Sequence, residues 1–281
     1  LGNILDRNIP DDIIISEGII FAQLAYPEAI WQCSNQGPDK AYVSQWPLSK
    51  LAIMAIFINN MYKGDNIMSD DRYQRFANYL DQENKDEAVA YILSLLESGA
   101  LTIEEIYAEL LVPSLTNYAC PLDDQEICIW KEHTRTSIVR TILEATYPYV
   151  IARKPKMTQT KKLIVLCPEE EYHEIGAIMV ANYFAMAGFN AQYIGANTPK
   201  HDILSAVKAI KPDFLALSVT NYYNVVVTKK ITEALKANYP EVKIIIGGQA
   251  FRQEDALKQV TYDYHIDTLE DIMNLAKAVL K

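Results

Sequence analysis

The sequence predicts an α/β protein: a doubly wound parallel sheet in its C-terminal part, preceded by an all-α helical bundle. Three observations carry this. Apolar residues in the first half recur at helical spacing, and most of the few glycines there fall between segments. From about residue 161, short β-rich runs alternate with helical patterns, the mark of parallel βαβ units. Between the two lies a dense basic run, R-K-P-K-M-T-Q-T-K-K over residues 153–162, which reads as a solvated linker.

Taken in order, helical spacing covers residues 13–24, 48–61, 73–80, 85–96, 103–115 and 128–147. Residues 33–46 read as a loop, broken by Gly37-Pro38. Ser98-Gly99 closes one helix, and Thr102 opens the next with Glu104 and Glu105 in an acidic first turn. The expected division is a helical extension of unassigned role (1–69), a four-helix bundle (70–152), a linker (153–160) and an α/β domain (161–281). Within the last, strands are expected at 163–166, 192–194, 214–219 and 242–246, with a weaker strand or turn at 262–265. Helices are expected at 174–187, 203–210, 227–238 and 269–280.

Composition narrows the function. Half of the 281 residues are hydrophobic and 22% are charged, so the chain has ample material for a core. A net charge of -10 disfavours direct binding to a phosphate backbone, and residues 1–69 show no basic recognition helix. Cys33, Cys120, Cys128 and Cys167 lack CxxC spacing, which argues against a zinc site and a disulfide scaffold and favours reduced thiols in a cytoplasmic protein. Residues 51–58 are apolar but too short to span a membrane, and no export signal is seen.

The informative residues sit where the strands end. After the first strand comes Glu171-Tyr172-His173-Glu174-Ile175-Gly176; after the third, Ser218-Val219-Thr220-Asn221; after the fourth, Gly247-Gly248-Gln249-Ala250-Phe251. In a doubly wound sheet the ligand crevice lies at the carboxyl ends of the strands, so all three loops should face it. His201 and His265 lack such a context and read as structural or exposed.

With these loops in register, residues 161–281 resemble the cobalamin-binding domain family, whose hallmark is D-x-H-x-x-G after the first strand, S-x-L or S-x-T after the third and G-G after the fourth. The resemblance implies a flavodoxin-like sheet, with His173 as the lower axial ligand to cobalt. Glu171 stands where the family has Asp, one methylene longer, and would hydrogen-bond the other ring nitrogen. Gly176 would let the backbone approach the corrin tail. Ser218 and Thr220 would bond the nucleotide loop, and Gly247 and Gly248 would leave room for it. Glu174, Gln249 and Phe251, inside the same motifs, are carried over as cofactor-binding.

The bundle resembles the four-helix cap of light-sensing cobalamin-dependent regulators. There, a Trp precedes a Glu-His pair by about ten residues over the upper corrin face. Glu132-His133 matches the pair, and His133 could approach cobalt from above. The Trp position falls near Leu122 in this chain, so the upper face can take a ligand smaller than adenosyl. Trp130 reads as core or upper-face, and Glu132-His133 also reads as an ordinary polar helix face.

The implied function is a cobalamin-binding sensor or regulator, a photoreceptor when loaded with adenosylcobalamin, and otherwise holding hydroxocobalamin. It would signal through a protein partner or homo-oligomerisation, without direct DNA or membrane binding. Two alternatives stay open. One is a corrinoid methyl carrier of a methyltransferase system. The other is a degenerate domain binding heme or a bilin, which Cys120 or Cys128 could attach. No nucleophile–base pair or carboxylate dyad reads as catalytic.

Overall fold

The protein is described from a computed structural model that covers residues 66–120, 125–156 and 160–280. The helices expected over 13–24 and 48–61, the loop over 33–46, nearly all of the extension 1–69 and the position of Leu122 lie outside the described residues.

Helices α1 (Asn66–Asp81) and α2 (Lys85–Glu97) open the described chain. As expected, α2 stops at Ser98-Gly99. Gly99 takes φ +70°, its N–H donates to Leu96 O at 3.1 Å and the Ala100 N–H donates to Leu95 O at 3.0 Å. That pairing satisfies the last free carbonyls of the helix. Thr102 then caps α3 (Ile103–Glu105) in a reciprocal box. Its Oγ1 accepts from the Glu105 N–H at 3.3 Å, and Glu105 Oε2 accepts from the Thr102 N–H at 2.7 Å.

The helix then widens into a π-helical stretch, Ile106–Leu111, before α4 (Val112–Thr116). Pro113 lacks an N–H and its ring crowds the carbonyl four residues back, so the wider turn accommodates it. Periodicity gave one unbroken helix here, because a π turn shifts the pattern by a single residue. The long helix α5 (Gln125–Arg153) completes the bundle.

The sheet comprises β1 (Lys162–Pro168), β2 (Asn190–Thr198), β3 (Phe214–Ser218), β4 (Lys243–Gly247) and β5 (Tyr264–Ile266). All pairings are parallel, in the order β2-β1-β3-β4-β5. This is the flavodoxin-like order, with its switch point between β1 and β3. The layers are filled by α6 (Ile175–Met186), α7 (Lys200–Ile210), α8 (Val225–Asn238), the short α9 (Glu254–Leu257) and α10 (Leu269–Val279). After the exposed Lys162, β1 is apolar because both its faces are covered. Leu163, Val165 and Cys167 pack toward one layer, Ile164 and Leu166 toward the other.

The bundle core includes Phe76, Leu80, Ile92, Ile106, Leu110, Ile138, Ile142 and Leu143, and it continues into Ile175, Ile178 and Met179 of α6. Bundle and sheet layer therefore share one apolar cluster. A buried hydrogen bond crosses the same seam, from Asn182 Nδ2 to Tyr107 Oη at 2.9 Å.

The cysteines correct an expectation. Cys120 and Cys128 are joined in a disulfide, with Cα atoms 5.6 Å apart, a separation that suits such a bond. Their spacing of eight residues carries no local signature. Cys167 stays a buried free thiol. Burial, reinforced by Glu171 and Glu174, pushes it up to about 12, so it is chemically quiet.

Candidate functional site

The loop after β1 is fixed from two neighbouring elements. Glu170 adopts φ +67°. Its N–H donates to Asn197 Oδ1 at the end of β2, 2.8 Å, and its carbonyl accepts from Asn224 Nδ2 at 3.2 Å. This turn drives Glu171 inward, where it is fully buried.

The Glu171 carboxylate is surrounded by donors. Oε1 accepts from the His173 N–H at 3.1 Å and meets His173 Nδ1 at 2.5 Å. Oε2 accepts from the Thr220 N–H at 3.0 Å, the Asn221 N–H at 2.9 Å and Asn224 Nδ2 at 3.1 Å. Burial is the largest single influence and pushes the carboxyl upward. The hydrogen bonds from Asn221, His173 and Asn224 together outweigh it and hold the group below its ordinary range.

A carboxylate only accepts, so Nδ1 of His173 carries the proton, which leaves Nε2 with its lone pair. The His173 side chain is 63% exposed. It is an oriented, outward-facing imidazole, the form in which histidine ligates metals. Among the described residues no three His, Cys, Asp or Glu side chains converge on a metal site. A single outward imidazole nitrogen of this kind fits an ion whose other ligands come from a macrocycle. Space beside it is open, since a Cβ added to Gly176 would meet nothing within 4 Å.

The other expected residues divide. Gly247 and Gly248 make close backbone packing. A Cβ on Gly247 would lie 2.6 Å from Ile266 O, and one on Gly248, at φ +102°, would lie 2.4 Å from Val219 O. Ser218 is half-buried and pairs with Gly247 in the sheet, while Thr220 contributes its backbone N–H to Glu171. Gln249 is exposed, whereas Phe251 is wholly buried in the core and serves packing. Glu174 spends both oxygens on tying the bundle to the sheet: Oε1 pairs with Arg140 of α5, and Oε2 accepts from Tyr193 Oη at 2.8 Å.

Trp130 is 55% exposed, so the core reading of it is corrected. Its neighbours explain why. Trp130, His133, Ser137 and Arg140 follow the three-four spacing of one helix face, and all four are exposed. Arg140 anchors that face beside the His173 loop through Glu174. His133 lies seven residues earlier on the same face, about 10 Å of helix rise away. Glu132 instead lines a cavity of about 270 Å³ with Leu115, Tyr118, Cys120, Cys128 and Ile129. His201 is exposed, as expected, and His265 is half-buried, with its Nε2 buried and without a hydrogen-bond partner.

Sequence reasoning missed Asn197, Asn224, Tyr193 and Arg140, and quoted Asn221 without giving it a role. The run Asn221-Tyr222-Tyr223-Asn224 carried a usable signal. Asn221 caps the short helical turn by accepting from the Tyr223 N–H at 3.0 Å, the usual use of Asn after a strand.

Comparison with known proteins agrees with this geometry. The family model described as B12 binding domain matches residues 161–274. Trimethylamine corrinoid protein 2 of Methanosarcina acetivorans is 28% identical over 141 residues, 50% of this chain and 64% of the relative. The HTH-type transcriptional repressor CarA of Myxococcus xanthus is 26% identical over 144 residues, 51% of this chain and 46% of the relative. The chain thus spans less than two thirds of either relative. The monomethylamine corrinoid protein of Methanosarcina barkeri shares the fold, with a TM-score of 0.60 and 14% identity over 75% of this chain and 99% of that one. Residues 161–274 thus match a B12 binding domain, a cobalamin-binding unit, and they form the parallel sheet that carries the histidine loop at its switch point.

Proposed function

We propose that the chain is a cobalamin-binding sensor or regulator, in which His173 ligates the metal from below and His133 answers from the bundle above. One observation carries this reading. His133 shares its exposed helix face with Arg140, and Arg140 is paired to Glu174, the residue after His173. That link supports a reading in which the two exposed imidazoles would face one crevice.

Cobalamin, when bound, supplies a cobalt ion with a lower position for the protein and an exchangeable upper position. The chain's own residues do the rest. Glu171 holds the Nδ1 proton of His173 and keeps Nε2 outward. Trp130, exposed on the same stripe as His133, would limit the size of the ligand held beside it. We assign the bundle over 70–152 as the cap and 161–281 as the binding domain. In this reading the protein is cytoplasmic, acts on a protein partner or on a second copy of itself, and is not itself a catalyst. No described helix is long and apolar enough to cross a membrane.

The disulfide bears on the bilin alternative, because neither Cys120 nor Cys128 offers a thiol for attachment in this state. A methyl-carrier role is the second reading. It is favoured by the fold shared with the monomethylamine corrinoid protein across nearly all of that chain.

The test is reconstitution with adenosylcobalamin in the dark, desalting, and absorbance with gel filtration before and after green light. A retained spectrum that changes irreversibly with a size shift supports the photosensor. Retention without any light or size response favours the carrier. In the hydroxocobalamin form, His133→Ala should alter the spectrum; an unchanged spectrum sinks upper ligation by His133.

A further inference from the structure

The Cys120–Cys128 disulfide has no part in the lower site, yet it sits where the upper one begins. Cys128 lies in the first turn of α5, and Glu132 follows it by four residues, one helical turn on the same face. Both cysteines are half-buried and line the cavity of about 270 Å³ that Glu132 also lines. The disulfide therefore borders open space rather than the core. Cys167, by contrast, is sealed beneath the His173 loop, where its Sγ–H donates to the His173 carbonyl at 3.7 Å.

Packing along α5 is uneven. Its first buried side chain among the described residues is Arg135, which pairs with Asp81, donates to Ser114 O at 3.3 Å and lies 4.1 Å from the Tyr118 ring centroid. From Arg135 onward, Ile138, Val139, Ile142 and Leu143 are core. Before it, Ile127, Ile129, Trp130, Glu132 and His133 are exposed. The two opening turns gain little from burial, and a helix that short is marginal without a tether. Lys131 pairs with Glu83 across this stretch, but a half-exposed ion pair is a weak restraint. The disulfide is a covalent one.

We propose that Cys120–Cys128 is a thiol–disulfide exchange site, reducible in the native protein by a dithiol, and that its redox state sets the order of the α5 turns carrying Trp130, Glu132 and His133. The consequence for cobalt ligation rests on the cobalamin reading; the exchange chemistry does not. One thiolate of the dithiol attacks either sulfur, breaking the Cys120–Cys128 bond. A mixed disulfide forms and the other cysteine leaves as a thiolate, which takes a proton. The second thiol of the dithiol then displaces the mixed disulfide. The protein gains two thiols, and the dithiol is oxidised to its own disulfide.

The experiment uses the full chain loaded with hydroxocobalamin and purified without reductant. Alkylation followed by peptide mass mapping should find Cys120 linked to Cys128. After native treatment with dithiothreitol both should be alkylated, with Cys167 unmodified. Two free thiols from the outset, or a bond that yields only after denaturation, would overturn the proposal. Hydrogen exchange over 125–134 should be at least tenfold faster in Cys120→Ser/Cys128→Ser than in the oxidised wild type, with 138–150 unchanged. Wild type reduced and alkylated under native conditions should match the variant, which guards against misfolding of the variant. Equal exchange in oxidised and reduced protein would overturn the control of α5. Failure to retain cobalamin on desalting reports on the other reading and leaves both of these readouts intact.

Discussion

His173 and His133 are both exposed imidazoles, yet the chain holds them in opposite ways. Below, the ring of His173 is fixed by a buried carboxylate that gathers donors from the residue after next, the loop after β3 and the helical turn beyond it. Above, His133 stands on a helix face that makes no core contact, two residues before the first buried side chain of α5. The His173 ring is preorganised and the His133 ring adaptable. The proposed exchange of an upper ligand alone would need this asymmetry, because a bistable element must come from the less stable part of the structure.

The comparison can be broken first at Glu171. Glu171→Ala strands several buried donors and should destabilise the protein by about 3 kcal/mol in urea unfolding. A loss under about 0.5 kcal/mol would mean that the network does not hold the loop. Gly248→Ala attacks the same region through the backbone, at φ +102° with Val219 O in the way, and should cost about 2 kcal/mol.

Acid sharpens the contrast. The folded pKa of Glu171 is lowered, so its contribution is complete above the ordinary carboxylate range. It is lost as pH falls through the depressed folded value. Stability of the wild type should therefore drop below about pH 4 more steeply than that of Glu171→Gln, followed by thermal melts. Parallel curves would place the acid sensitivity elsewhere, with Asp263 and Asp271, both also lowered, as the next groups to replace.

The histidines themselves should differ modestly. His173→Ala removes a donor from a buried carboxylate and should cost about 1 kcal/mol, while His133→Ala should stay within about 0.5 kcal/mol. Equal effects in the apoprotein would erase the proposed asymmetry. The smallest change is expected for Arg140→Ala. Its pair with Glu174 is half-exposed on the arginine side, so the loss should be about 0.5 kcal/mol. Its informative readout is the bundle–sheet seam, where exchange at 138–142 should rise slightly.

Much of the α/β part was legible because its signals are local. β1 is an apolar run bounded by a basic linker and a polar loop, and β4 ends in Gly247-Gly248. The capping of α2 by Ser98-Gly99 and of α3 by Thr102 was readable for the same reason. The site was legible only as motif positions. That Glu171 faces inward, and that Asn224 reaches it from 53 residues away, depends on β1 and β3 being neighbours. Phe251 looked like a ligand contact because it follows Gly-Gly, but the turn after β4 points it into the core. Trp130 looked like core because large aromatics usually are, whereas α5 buries the opposite face.

By itself, the sequence determined the order of elements, the carboxyl-end loops and the identity of His173 as the residue to watch, since periodicity, turn chemistry and motif spacing are all properties of contiguous chain. Tertiary structure alone decided how His173 is oriented, which face of α5 stays exposed and that Cys120 meets Cys128. The first two are relations between segments distant in sequence, fixed when one shared core buries the bundle and α6 together; the third joins side chains eight residues apart that no local motif marks.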